Sequence, residues 1–205
     1  MPTPTPEPCT KRRLMYACSD SYQPDVANDD RWPHWIGQPA RFGYTPGSIN
    51  AALVGRADHG IVVVFRGTVP PLVKEDDYGI DIEVRDWLND FNVPCVAVKD
   101  PKTGALVYPG KVHMGFARSV EALWKGVSTA VLQQVAAHPG ERLFITGHSK
   151  GAALANLFAS RIRGSLPAST RMKVVTFAGP RPGDVAFAEA YRAAGIESVR
   201  YEAAF

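Results

Sequence analysis

Residues 145–151 read "ITGHSKG". Ser149 stands between Gly147 and Gly151, directly after the apolar run "RLFIT" and just before the small-residue stretch "GAALANLFA". A buried strand that passes straight into a helix leaves room only for a very tight turn. A serine at that turn takes a strained backbone conformation, and glycines two positions to either side remove the side chains that would collide with strand and helix. The turn lifts the hydroxyl above the sheet edge. It also sets the hydroxyl at a helix N-terminus, where the dipole favours developing negative charge. Ser149 is therefore the candidate nucleophile.

Outward from this turn the chain alternates between two periodicities. "GAALANLFASRIRG" is helical, with Ala152, Ala155, Ala159 and Ile162 on one close-packing face. "KVVTFAG" is a strand, "GDVAFAEAYRAAG" a helix stopped by Gly195, and "SVRYEAAF" a strand. Upstream, Phe116, Val120, Leu123, Val127, Val131 and Val135 recur at helical spacing in a long segment that ends before Pro139-Gly140. Earlier still, "NAALVGRADHGIVVVFRGT" reads as a strand, a turn at 57–60 and a buried strand at 61–65. Strands alternating with helices predict an α/β fold, a mostly parallel sheet with helices on both faces. Ligands of such sheets gather at the carboxyl ends of the strands. Ser149 and the ends of "KVVTFAG" and "SVRYEAAF" share that edge.

The 205 residues, 45% hydrophobic and 21% charged, suit one domain with a substantial core. A net charge of +3 argues against a nucleic-acid surface, which needs a clustered basic stripe. Lys11-Arg12-Arg13 reads as a solvated tail. Cys9, Cys18 and Cys95 form neither a metal pattern nor a disulfide framework, so free thiols are expected. No apolar run is long enough for a transmembrane helix. The first residues lack a secretory signal, which leaves a cytoplasmic location or secretion with the signal removed. Alternating prolines predict an extended, disordered lead over 1–13, with a single domain over 14–205. Within that domain, residues 14–28 hold a short helix ending near Pro24, and "WPHWIGQPARFGYTPGS" is mostly loop. The irregular stretch 69–90 is the kind of long insertion that serves function.

"VVVFRGT", "DWLNDF", "VHMGF", "LFITGHSKGAALANLFA" and "VVTFAGPRPGD" follow one another in the order and at the spacings of the class 3, or fungal-type, triacylglycerol lipase family. The chain resembles that family from about Ala51 to Phe205. The resemblance implies an α/β-hydrolase fold, a serine–histidine–aspartate triad, no cofactor, and a lid over the site. It implies that Ser149 attacks an ester carbonyl and that the oxyanion is held by the backbone N–H of Lys150 and by Thr68, through its N–H and its hydroxyl. Residues 70–85 match the lid. Arg66 and Asp90 match a supporting pair, and His113 a structural position. Lys150 departs from the commonest family pattern, and its side chain is expected to be solvated or ion-paired.

Ester or lipid substrates, met at a lipid–water interface, are what the resemblance implies. A thioesterase, amidase or acyltransferase would use the same serine, and a lipase-like interaction module would use none of it. The family places the triad acid after the strand matching "SVRYEAAF" and the histidine further on. The expectation is accordingly a hydrolase domain whose C-terminal part is missing from these 205 residues, partnered by a C-terminal fragment of the same protein. Asp184 is expected to start a helix rather than to serve as the acid.

Overall fold

The most apolar segments of the chain form the middle of a six-stranded sheet. The computed structural model describes residues 8–23, 35–45, 47–68 and 94–202. In chain order they carry helix α1 (Pro8–Asp20), strands β1 (Trp35–Phe42), β2 (Ala52–Ala57), β3 (Gly60–Phe65), β4 (Cys95–Val96) and β5 (Val112–His113), and helix α2 (Met114–Ala137). These are followed by β6 (Leu143–His148), α3 (Lys150–Ile162), β7 (Met172–Phe177), α4 (Val185–Ala193) and β8 (Glu197–Tyr201). The large sheet runs β1-β2-β3-β6-β7-β8, while β4 and β5 pair separately. The first three strands are antiparallel, and β3, β6, β7 and β8 are parallel.

Parallel strands covered on both faces read as unbroken apolar runs, and every residue of β3 and of β7 is buried. The pleat then divides them between two cores. Ile61, Val63 and Phe65 pack with Val120 and Val127 of α2 and with Leu154 and Phe158 of α3. Val62 and Val64 pack with Leu14, Ala17 and Cys18 of α1 on the opposite face. Helices thus cover both faces, as the alternating sequence predicts. All six residues of the apolar stripe on α2 are buried. Cys18 lies 3.6 Å from the Thr146 hydroxyl, and burial pushes its thiol up to about 12. Both it and the exposed Cys95 are free.

Two sequence expectations need correcting. The chain is helical from Pro8, so the extended lead does not reach Arg13, and the helix stops at Asp20, short of Pro24. Proline suits a first helical turn because its locked φ is already right. Leu14, Ala17 and Cys18 then supply an apolar stripe that docks on the sheet. The basic run is engaged: Lys11 lies 4.1 Å over the Tyr201 ring, and Arg13 pairs with Asp58 at 2.7 Å. The aromatic, proline-containing stretch expected to be loop contains strand β1. It survives as a strand because it is the sheet edge, and its register shifts between Ile36 and Ala40, around Pro39, where a ladder N–H is missing. The lid candidate 70–85 and Asp90 lie outside the described residues.

The docking of α1 is testable. Leu14 is fully buried between helix and sheet. Leu14→Ala should lower the unfolding free energy by about 2–5 kcal/mol, read as a lower urea midpoint at unchanged slope. An unmoved midpoint would mean that α1 contributes nothing to the core.

Candidate active site

Register brings the strand ends into line. Phe65 pairs with Gly147 across β3 and β6, His148 with Phe177 across β6 and β7, and Phe177 with Tyr201 across β7 and β8. Thr68, three residues past Phe65, and Ser149, two past Gly147, therefore leave neighbouring parallel strands at the same carboxyl edge.

Ser149 occupies φ 54°, ψ −127°, a conformation that residues with a β-carbon rarely adopt. Such strain costs on the order of 1–3 kcal/mol and persists only where the surroundings over-determine it. Here the surroundings are two backbone contacts. A Cβ on Gly147 would run into the Gly151 carbonyl, and a Cβ on Gly151 would run into the Phe65 carbonyl at the end of β3. The Ser149 N–H donates to Phe177 O at 3.0 Å, and its carbonyl accepts from Ala152 N at 3.0 Å, so the turn is tied to β7 and to α3. Ser149 is the N-cap residue of α3, yet its side chain makes no capping hydrogen bond. A serine at this position ordinarily spends its oxygen on the helix. Ser149 Oγ is instead buried, without a hydrogen-bond partner among the described residues.

Thr68 Oγ1 is likewise buried with no hydrogen-bond partner among the described residues, so within them it caps nothing. Lys150 opens α3, where the first N–H groups have no partner inside the helix. Its side chain corrects the expectation of a solvated or ion-paired cation. Lys150 is 5% exposed, and Nζ donates to Asn50 Oδ1 at 2.8 Å and to Ile49 O at 3.2 Å. The position lies beneath the 48–51 loop rather than at the pocket rim, so it finds neutral acceptors instead of water. Burial, and after it the charge of Arg66, lowers its pKa to about 8. Buried Arg66 holds the same loop from the other side, through Ser48 O at 2.7 Å and, by its backbone N–H, Ala51 O at 2.9 Å. Sequence reading missed this loop. No residue type within it announces that two cations will close on it.

None of the described histidines hydrogen-bonds Ser149 Oγ. His148 Nδ1 lies 3.1 Å from the Tyr22 hydroxyl, and burial lowers its pKa. His113 is buried and stacked on Phe116 at 4.3 Å, in keeping with a structural position. His59 lies 5.0 Å from the Phe144 ring, His138 is the C-cap residue of α2, and His34 lies outside the described residues. Asp184 caps α4 by accepting from Phe187 N at 2.8 Å, and that hydrogen bond holds its carboxyl below the usual range. Among the described residues no three His, Cys, Asp or Glu side chains are grouped to hold a metal ion. No helix among them is long and apolar enough to cross a membrane.

The profile of the class 3 lipase family matches residues 62–202. A lipase of Rhizomucor miehei is 31% identical over 149 residues, which is 71% of this chain and 36% of the relative. A secreted mono- and diacylglycerol lipase of Gibberella zeae is 30% identical over 133 residues, 64% of this chain and 38% of the relative. The chain thus spans little more than a third of these curated relatives. Among solved structures, lipase II from Rhizopus niveus superposes with a TM-score of 0.70 at 25% identity, covering 95% of this chain and 70% of that one. The triacylglyceride lipase of Rhizomucor miehei superposes at 0.68 with 23% identity, covering 96% and 72%. The fold these structures share is the α/β-hydrolase fold.

The buried lysine makes a pH prediction. Its folded pKa, about 8, lies below the 10.5 of a free lysine. Between those values the folded protein has released a proton that the unfolded chain still holds, so stability attributable to Lys150 rises with pH across that window. Urea unfolding of the parent and of Lys150→Met at pH 7, 9 and 10.5 should show the parent gaining on the variant as pH rises. A constant difference would place the ammonium in a water-like environment.

Proposed function

The chain belongs to the class 3 lipase family, and from that premise we propose that it is a serine hydrolase of carboxylic esters working through an acyl-enzyme on Ser149. The observation that carries the reading is the state of that serine: strained to φ 54°, buried, and with its hydroxyl spent on no cap. A serine present only to cap the helix would use its oxygen on α3.

Ser149 Oγ attacks the ester carbonyl, and negative charge develops on the carbonyl oxygen. The N–H of Lys150, at the positive end of α3, and the N–H and hydroxyl of Thr68 receive that charge. The alcohol leaves, and water then releases the acid from the acyl-enzyme. A histidine must take the serine proton and a carboxylate must orient it. Ser149 Oγ has no hydrogen-bond partner among the described residues, and the reading needs a base and acid from outside them. Acylglycerols are the first substrate class to try, because the relatives carry the names lipase and mono- and diacylglycerol lipase.

Hydrolysis of p-nitrophenyl butyrate and of tributyrin tests the reading. Ser149→Ala should lose activity by several orders of magnitude while melting as a folded protein. Thr68→Val should lose on the order of 100-fold if the hydroxyl serves the oxyanion, and little if only the N–H does. A fluorophosphonate should add its mass at Ser149. Undiminished turnover in Ser149→Ala would overturn the assignment. Faster turnover of matched thioesters or amides would move the protein to another acyl-transfer chemistry on the same serine.

A further inference from the structure

Tyr22 follows the end of α1 and places its hydroxyl between the two strand ends that carry the site. The phenol oxygen is 3.1 Å from His148 Nδ1, with the two rings edge to face at 6.2 Å. On its other side the same oxygen packs against the backbone of Gly67. The approach is close enough that a Cβ on Gly67 would collide with that oxygen and crowd the carbonyl of His148. Gly67 immediately precedes Thr68, and His148 immediately precedes Ser149. One hydroxyl therefore touches the residue before each of the two groups assigned to the reaction.

The polarity of the hydrogen bond follows from the state of the imidazole. A phenol that donates to His148 Nδ1 needs that nitrogen as an acceptor. Nδ1 can accept only in the neutral imidazole whose proton sits on Nε2. Burial favours the neutral form of each: it lowers the pKa of His148 and raises that of Tyr22 to about 12.

We propose that Tyr22 is a positioning residue for the ester-hydrolysing centre: by packing against Gly67 and hydrogen-bonding His148, its hydroxyl bridges the two and fixes the separation between Thr68 and Ser149. The proposal rests on the hydrolase reading. Its physical content is that nucleophile and oxyanion donor stand on separate strands, while a misplacement of about 1 Å between reacting groups can cost roughly 100-fold in rate. The ladder between β3 and β6 ends at Phe65 and Gly147, before either group is reached. The Tyr22 bridge continues the tie beyond the sheet.

Tyr22→Phe keeps the ring and removes the bridge. Measured on the same ester in the full chain with its hydrolytic activity, it should lower kcat by about 10- to 100-fold and leave KM within about twofold. His148→Leu should lose a similar factor. The double variant should lose no more than either single one, because one bridge is being cut twice. Imidazole 15N spectra supply a readout that packing alone would not move: the parent should show His148 as the Nε2–H tautomer, and Tyr22→Phe should shift it toward a tautomer mixture. Undiminished kcat in a folded Tyr22→Phe, additive losses in the double variant, or a parent His148 protonated on Nδ1 would each overturn the proposal. The parent spectrum decides even if the variants fail to fold. A parent that hydrolyses no ester would count against the hydrolase reading, and the spectra would then judge the bridge by themselves.

Discussion

The close approach of α3 to the end of β3 is the constraint on which the rest of the structure depends. Gly151 lies so near the Phe65 carbonyl that no side chain fits between them. For the helix to start there, the connection from β6 must turn within Ser149 itself, and the backbone of Ser149 goes to φ 54° as a result. The same proximity explains the composition of α3. Ala152, Ala153, Ala155 and Ala159 are all buried, and larger residues would push the helix off the sheet and release the turn. Packing, local strain and a presented hydroxyl are one arrangement viewed at three scales.

Electrostatics build on that geometry. Lys150 and Arg66 are both buried beside the strand ends, and the hydrogen bonds identified for their side chains go to neutral oxygens of the 48–51 loop. Among the described residues these cations are held by dipoles rather than by carboxylates, which leaves them most of their field. Together with the N-terminus of α3, they make this edge favourable to negative charge, which is what an acyl-transfer oxyanion requires. The cost is visible in Lys150, whose proton is held less tightly because water is excluded. A hydrophobic residue at position 150 would remove that cost. It would also remove the donor that spans from the Ser149 turn to Asn50.

What could be read from sequence was what rests on local pattern. The two-glycine frame around Ser149, the apolar stripe of α2 and the continuous run of β3 each obey a short-range rule, and each appears where the rule puts it. Helix α1 was read as tail in part because its prolines and basic residues dominate composition, whereas its fate is decided by Leu14, Ala17 and Cys18 finding a sheet face far along the chain. Strand β1 was hidden by Pro39, which only an edge position tolerates, and edge position is a property of the whole sheet. Within the site, Ser149 was legible because its neighbours in sequence are its neighbours in space. The partners of Lys150 and Tyr22 stand 100 and 126 residues away, and nothing in a linear reading joins them.

The site also marks itself by the local rules it breaks. A buried hydroxyl without a partner costs on the order of 1–3 kcal/mol, and two that have none among the described residues, on Ser149 and Thr68, stand at one strand edge. Ser149 sits at an N-cap position, yet the turn imposed by the approach of α3 to β3 leaves its oxygen off the helix. Ala178, at the end of the neighbouring β7, holds a second positive φ of 47°. Their coincidence on one edge, offset by two well-packed cores beneath, is a local inconsistency of the kind that marks functional sites, and it is what the proposed acyl-transfer centre would require.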